Sequence, residues 1–200
     1  MPRLIRAVSL ALCLLPAPAF AIDNAWVRVS RDAAPCAAAA APDCGFRVLV
    51  ALADLELRAG AALHRLVRGD IAVFGPGQDY AAPAAGSYFE VAIKPGHPPA
   101  LSPAELIAAE KNAPLYDGEE FFVFEERLAP GDTRARHSHS QRVVIQLNRA
   151  RLQQWPDGAP ELFVETVPER PSFSPPVIHT VKNVGDVPLR GIVIEFKPGR

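Results

Sequence analysis

Prolines confine this chain of 200 residues to short segments of regular structure, because 21 of them are spread along it. Proline kinks or ends a helix and is excluded from the middle of a sheet. Between the prolines lie short runs rich in Val, Ile and Phe, bounded by Gly, Pro, Asp and Asn, as is typical of strands. The predicted strands are Trp26–Ser30, Phe46–Leu52, Ile71–Phe74, Tyr88–Ile93, Phe121–Glu126, Arg142–Leu147, Leu162–Thr166, Val177–Val181 and Gly191–Phe196. Many short strands with frequent turn signals predict an all-β sandwich or barrel.

The two halves of the chain resemble each other. Arg47–Leu52 matches Arg142–Leu147 at an offset of 95 residues, and Phe89–Gly96 is similar to Ile192–Gly199. A period this long indicates tandem domains rather than a solenoid of short repeats. We therefore interpret the chain as an internal duplication in which one loop differs in length.

A connecting segment separates the halves. We predict an N-terminal domain over residues 22–95, a linker over 96–118 and a C-terminal domain over 119–200. The linker contains Ser102-Pro103-Ala104-Glu105, which combines an N-cap serine, a proline at the first helical position and a capping-box glutamate. This pattern predicts one short connecting helix that ends near Lys111.

The first residues have the pattern of a secretory signal peptide. Arg3 and Arg6 precede the apolar run Ala7–Leu15, which is too short to span a bilayer. Ala19-Phe20-Ala21 follows as a small-x-small cleavage site. We therefore predict a signal peptide over 1–21, a periplasmic or secreted protein and, because no later run is long and apolar enough, no membrane anchor.

The charge of the exported chain limits its partners. Two of the 21 lysines and arginines lie in the predicted signal peptide, whereas all 22 acidic residues lie after it. The resulting mild acidity argues against nucleic acid and anionic membranes as partners. A small-molecule ligand is the expected partner, and a homodimer formed through exposed strand edges is a further possibility.

Two cysteines follow the predicted signal peptide, Cys36 and Cys44. Cysteine pairs of exported proteins are usually oxidised, which favours a local disulfide between them. A thiol pair that binds a metal is the alternative.

Three histidines have the spacing of a metal site. His137 and His139 point to the same face of a strand, because alternate side chains do so. His179 would add a third imidazole from a facing strand. Three nitrogen ligands favour a divalent transition metal such as Fe, Zn, Mn, Ni or Cu over Mg or Ca.

The alternation of side chains along a strand also predicts which nearby residues share the face of these histidines. If the strand runs on from His137 to Leu147, the apolar residues near its end fix the face of the histidines as interior. Gln141 then points inward, as a weak ligand or as a residue that orients an imidazole. Arg134, Arg136 and Arg142 then face outward, on a solvated or ion-paired surface.

These residues carry a resemblance to the cupin superfamily. Gly131-x5-His137-x-His139 resembles the first half of the first cupin motif, and His179-x3-Asn183 resembles the end of the second. Gly185-Asp186 is also similar to small, poorly characterised bacterial cupins. The resemblance covers 119–199 well, and it reaches the first half through the internal repeat. It implies a double-stranded β-helix, or jelly-roll, bicupin, in which Asn183 is a weak ligand or a residue that supports the ligands.

The sequence departs from the cupin pattern at one ligand. The family motif places a glutamate four or five residues after the second histidine, where this chain has Val143 and Val144. Three of the four usual ligands are thus present. The offset of 95 maps the histidine pair onto Pro42 and Cys44, so the N-terminal barrel is expected to lack a metal.

Two classes of function follow from the resemblance. A three-histidine centre implies a small-molecule metalloenzyme of the dioxygenase or isomerase type, with no catalytic residue identified. Loss of the carboxylate favours instead a non-catalytic ligand-binding or structural cupin without bound metal. If Glu125 or Glu126 faces the interior, it replaces the missing carboxylate, whereas a surface charge is the other interpretation.

Overall fold

A computed structural model describes residues 20–32, 45–96, 98, 101 and 112–197. These residues form sixteen strands and no helix, so the all-β prediction is confirmed. The predicted helix from Ser102 to about Lys111, the cysteines Cys36 and Cys44, and residues 1–19 of the predicted signal peptide lie outside the described residues. Where the structure describes the chain, it contains no helix long and apolar enough to cross a membrane.

The N-terminal half contains seven strands. They are β1 (Phe20–Asp23), β2 (Val27–Arg31), β3 (Arg47–Ala51), β4 (Leu55–Ala59), β5 (Ala62–Leu66), β6 (Ile71–Phe74) and β7 (Tyr88–Ile93). Five form an antiparallel sheet in the order β1-β2-β7-β3-β6, and β4 and β5 form a hairpin. The hairpin turns at Gly60, whose φ of 57° lies in the left-handed region that favours glycine.

The C-terminal half contains nine strands. They are β8 (Asn112–Asp117), β9 (Phe121–Leu128), β10 (Thr133–His139), β11 (Arg142–Gln146), β12 (Arg151–Pro156), β13 (Leu162–Glu165), β14 (Pro171–Ser174), β15 (Val177–Asn183) and β16 (Leu189–Phe196). They form two antiparallel sheets, in the orders β14-β11-β16-β9-β8 and β10-β15-β12-β13. Residues of both sheets line one cavity, as in a jelly-roll barrel.

Strand β8 lies inside the predicted linker 96–118. It is an edge strand paired only with β9 among the described strands, and its register shifts between Pro114 and Tyr116. A proline is tolerated at such an edge, because the missing N–H is not needed by a second neighbour. The end of the predicted linker therefore belongs to the C-terminal sheet.

One hydrophobic core joins the two halves. The sheet face that carries Val29, Val48 and Val91 packs on the face of the β14-β11-β16-β9-β8 sheet that carries Val143 and Ile194. All five side chains are completely buried. Each such side chain contributes about 1.5–3 kcal/mol relative to exposure. The opposite face of the C-terminal sheet is free to line the barrel.

An ion-pair cluster also joins the halves. The carboxylate of Glu169, in the C-terminal half, lies 2.8 Å from Arg31 Nη2 and 2.9 Å from Arg68 Nη1, both in the N-terminal half. The Arg68 guanidinium also donates to the carbonyl oxygens of Leu52 and Leu147. Hydrogen bonding to Arg68 and Arg31 lowers the pKa of Glu169 below its ordinary value.

We expect Glu169→Gln to lower the free energy of unfolding by about 1–2 kcal/mol at pH 7, since it weakens two charge-assisted hydrogen bonds. Urea denaturation measures the change. Because the pKa of Glu169 is lowered in the folded state, its stabilisation is lost as the pH falls through that pKa, so wild type and variant should converge under acid. Glu165→Gln is the matched control, because its ion pair with Arg149 is exposed. An equal decrease in the free energy of unfolding in both variants would contradict the prediction.

Candidate metal centre

The three histidines lie side by side on two neighbouring strands. His137 of β10 pairs in register with His179 of β15, and their ring centroids are 4.6 Å apart. His139 follows on the same face of β10, 4.8 Å from His137 between ring centroids. One nitrogen from each residue lies within 4.8 Å of the other two, and all three residues are buried. The cluster was predicted from alternation, although His179 comes from the adjacent strand rather than from a facing one.

A hydrogen-bond acceptor fixes the Nδ1 atom of each imidazole. His137 Nδ1 donates to the Ala135 carbonyl oxygen at 2.8 Å. His139 Nδ1 donates to Glu195 Oε2 at 2.7 Å, and His179 Nδ1 donates to Gln154 Oε1 at 3.2 Å. A neutral imidazole has one N–H, so each ring carries its lone pair on Nε2.

The Nε2 lone pairs point into one small space. The Nε2 atoms of His137 and His139 are 3.1 Å apart. The Nε2 atom of His179 is buried and has no hydrogen-bond partner among the described residues. Buried polar atoms are rarely left unpaired, and lone pairs this close repel one another. A cation bound between the three imidazoles would satisfy these nitrogen atoms.

The histidines are neutral at physiological pH. Burial lowers the pKa of His139 and of His179 to about 3, and it also lowers the pKa of His137. A metal binds the neutral imidazole. The burial that makes protonation unfavourable thus keeps all three rings in the form that a metal requires.

Glu195 of β16 is a site residue that was not predicted. Its Oε2 accepts the Nδ1–H of His139, and its Oε1 accepts the Ser140 N–H at 2.6 Å. Burial raises the pKa of this carboxyl to about 7, although the hydrogen bond from Ser140 and the charge of Arg142 oppose that rise. The sequence contained a signal for it, since Glu195 is one acid within an apolar strand.

The two inward arginines contradict the predicted alternation. Arg134 is 1% exposed rather than outward-facing, because the register shifts between Arg134 and His137 and turns both side chains inward. Arg142 also faces the cavity, because the chain crosses from one sheet to the other between His139 and Arg142. Arg136 is exposed and pairs with Asp157, as predicted.

The crossing of the chain from the sheet of β10 to the sheet of β11 also places Gln141, Val143 and Val144 differently from the prediction. Val143, Ile145 and Leu147 lie in the core between the halves, while Val144 lines the cavity with His139. Gln141 has a buried Oε1 atom without a hydrogen-bond partner among the described residues, and Gln154 is the glutamine that contacts a histidine. Assignment of the His137–Leu147 alternation to one interior face was therefore wrong.

The side chain of Asn183 makes hydrogen bonds to backbone atoms at one end of the barrel. Its Nδ2 donates to the carbonyl oxygens of Leu128 and Val187, and its Oδ1 accepts the Gly185 N–H. Its backbone also bonds to the turn that precedes β10, through Gly131 and Asp132. Its side-chain hydrogen bonds thus hold the loops around the barrel.

Comparison with known proteins identifies the fold. No family model and no curated protein matches the sequence. A cupin 2 conserved barrel domain protein from Leptotrichia buccalis has a TM-score of 0.56 and 14% identity, over 90% of this chain and 88% of that one. The protein has the cupin fold.

Two other solved structures extend this match. The putative glyoxylate induced protein of Pseudomonas aeruginosa has a TM-score of 0.58 and 13% identity, over 87% of this chain and 75% of that one. Oxalate decarboxylase of Bacillus subtilis has a TM-score of 0.53 and 12% identity, over 76% of this chain and 63% of that one. These matches cover both halves, in agreement with the bicupin architecture.

The missing ligand of the cupin motif corresponds to an apolar position. Of the two valines in question, Val144 is the one that faces the cavity. Glu126 also lines the cavity, but its carboxylate is paired with the Arg134 guanidinium. Glu125 pairs with Arg127 and Arg190 instead. Neither acid therefore takes the place of the fourth ligand in this structure.

In the N-terminal half, a buried apolar cluster packs one face of the five-stranded sheet against the β4-β5 hairpin. Apolar residues pack there around a buried polar set in which Tyr80 donates to Glu90 and the Arg47 guanidinium lies 5.7 Å from the Tyr80 ring centroid. Among the described residues, the three-histidine group is the one set of His, Cys, Asp or Glu with metal-site geometry. Pro42 and Cys44, which correspond to His137 and His139 in the repeat, lie outside the described residues.

Proposed function

We propose that the protein is an exported metalloprotein that binds one divalent transition metal through the Nε2 atoms of His137, His139 and His179 and acts on a small molecule. The convergence of three buried Nε2 lone pairs supports this proposal. Their Nδ1 atoms are already committed to acceptors, which is how metal-binding histidines are normally oriented.

The spacing of the His137 and His139 nitrogens fits a transition metal. With metal–nitrogen distances of about 2.0–2.1 Å, two cis ligands stand roughly 2.9–3.4 Å apart. The 3.1 Å between His137 Nε2 and His139 Nε2 lies in that range. Three neutral nitrogen donors suit Fe, Zn, Mn, Ni or Cu, in agreement with the sequence-based expectation.

Three protein ligands leave coordination positions open, at which a bound metal would polarise a small molecule or activate water or dioxygen. The chain itself supplies the orientation of the ligands. Glu195 holds the ring of His139, Gln154 holds that of His179, and the Phe124 ring stacks on His139 with centroids 6.1 Å apart. This arrangement, together with the resemblance to three-histidine cupins, supports a small-molecule metalloenzyme of the dioxygenase or isomerase type.

Export belongs to the same proposal. It rests on the signal-peptide pattern of residues 1–21, and it makes the Cys36–Cys44 disulfide a prediction for the mature protein. Protein recovered from a periplasmic extract should begin at Ile22 and show the two cysteines linked in mass spectrometry without reduction. A retained signal segment or two free thiols would contradict these points.

Metal binding by the wild-type protein is the direct test of the proposed function. We expect stoichiometric metal after reconstitution of the purified mature protein, and a melting temperature that rises with metal concentration, because a ligand of the native state alone stabilises it. Elemental analysis and thermal unfolding measure these two quantities. Magnesium and calcium are the control ions and should produce neither effect. A protein that holds no transition metal after reconstitution would leave the enzyme proposal without a basis.

A non-catalytic ligand-binding role is the second candidate. The apolar Val144 at the position of the missing acid, and the pairing of Glu126 with Arg134, favour it, because both reduce the number of groups available for proton transfer. Turnover of a bound small molecule by metal-loaded protein separates the two functions. Binding without turnover supports the second.

A further inference from the structure

We propose that the C-terminal barrel binds a small hydroxy- or aminocarboxylate, with its carboxylate on the Arg142 guanidinium. This inference deepens the proposed function. The part of the inference that places the ligand next to the histidines rests on the proposed metal centre. The cavity has a volume of about 140 Å³. At about 30 Å³ per water, it holds four or five waters, or a molecule of similar size.

Arg142 is the cation of the cavity that lacks an acidic partner. Its Nη1 donates to the carbonyl oxygens of Ser140 and Pro175. Among the described residues, no carboxylate lies within ion-pair distance of it, and no hydrogen bond is made by its Nε or Nη2. Together, Nε and Nη2 form the edge of the guanidinium that can donate two parallel hydrogen bonds to a planar carboxylate.

The acids near Arg142 are already engaged. Glu126 pairs with Arg134, and both oxygens of Glu195 accept hydrogen bonds, from His139 and Ser140. Burial lowers the pKa of Arg142, which reflects the unfavourable free energy of a charge removed from water. An anionic ligand would offset this cost within the cavity.

The internal repeat provides a contrast. Arg47 corresponds to Arg142 at the offset of 95 residues, and it too begins a strand and enters its barrel. Its guanidinium lies over the Tyr80 ring, which belongs to a buried apolar cluster, and 3.8 Å from the Asp79 carboxylate. The N-terminal barrel thus provides partners for its arginine from within the chain, whereas the C-terminal barrel has an open cavity beside its own.

The remainder of the ligand would meet two kinds of groups. His139 and His179 line the same cavity as Arg142, so a carboxylate on Arg142 directs the rest of the molecule toward the imidazoles. Gln146 also lines it, and its Oε1 atom is buried without a hydrogen-bond partner among the described residues. Gly191 leaves room for this amide, since a Cβ there would lie 2.8 Å from Gln146 Oε1. A hydroxyl or amine on the ligand supplies the donor that this oxygen lacks.

Isothermal titration of the full mature protein with glycolate, in metal-free and metal-loaded forms, tests the inference. We expect binding of glycolate, weaker binding of acetate because it offers Gln146 no donor, and no binding of the neutral analogue ethylene glycol. Arg142→Gln should weaken glycolate binding about 30-fold or more. Arg136→Gln is the matched control and should bind as wild type, because that arginine is exposed and pairs with Asp157 outside the cavity.

The outcomes separate this inference from the proposed function. Metal content, measured for each variant, reports on the histidines alone. Glycolate binding that depends on Arg142 in a protein without metal affinity would support the carboxylate site and contradict the metalloprotein. Metal binding without glycolate binding, or phosphate binding stronger than that of any carboxylate, would overturn the carboxylate site. If Arg142→Gln does not fold, Arg142→Lys keeps the charge without this two-donor edge, and unchanged glycolate affinity in that variant would overturn it as well.

Discussion

Combined substitution of His137→Ala and His139→Ala is expected to abolish stoichiometric metal binding. It removes two of the three imidazoles whose ligand nitrogens lie within 4.8 Å of one another, and a single buried imidazole does not hold a divalent ion against competition from water or a chelator. Elemental analysis of wild type and variant after the same reconstitution measures the loss. The melting temperature of the variant should also stop responding to added metal.

The matched control is His64→Ala, because His64 is exposed on β5 and lies outside the three-histidine group. Metal content and the metal-dependent rise in melting temperature should be unchanged in that variant. Circular dichroism of the double variant establishes that it folds. Retention of stoichiometric metal by a folded double variant would show that the ion binds elsewhere.

Glu195→Gln is expected to weaken metal affinity by about 10- to 100-fold, which is the usual effect of removing a group that orients a ligand. The two oxygens of Glu195 accept one hydrogen bond from His139 and one from Ser140. A glutamine offers one acceptor for these two donors, so the ring of His139 loses its fixed orientation or the Ser140 N–H loses its partner. Competition with a chelator of known affinity measures the change.

Glu165→Gln serves as the control for this prediction, since Glu165 is exposed on β13 and pairs with Arg149. A cobalt-substituted protein adds a second measurement, because its visible spectrum responds to the arrangement of the ligands. Unchanged metal affinity and an unchanged cobalt spectrum in Glu195→Gln would mean that His139 is held by its packing rather than by Glu195.

Periodicity was enough to predict most of the sheet structure. All nine predicted strands are present, because runs of Val, Ile and Phe between turn residues have few other conformations available. Strands that were not predicted have weaker patterns. Strand β8 contains Pro114, β12 carries Gln153 and Gln154, and β14 begins at Pro171. Such strands depend on neighbours that lie far away in the sequence.

The histidine cluster was predictable because the spacing of its residues is local. The residues on the other side of the site were not predictable. His137 and His139 need one strand to point the same way, and pairing of β10 with β15 adds His179. Glu195 and Arg142 reach the cluster from the opposite sheet. The crossing between β10 and β11 reverses the alternation, and no pattern in the sequence marks where a chain changes sheets. The inward position of Arg142, and the contact between Glu195 and His139, therefore required the three-dimensional structure.

Strand β16 makes the candidate metal centre sensitive to events on the far side of the sheet. Ile192, Ile194 and Phe196 point into the core shared with the N-terminal half, whereas Glu195, between two of them, holds His139. Any displacement of that strand moves both sets of side chains together. Packing of the N-terminal sheet against this face of β16 thus supports the strand that positions Glu195, so metal affinity is expected to respond to changes in that packing as well as to changes in the ligands.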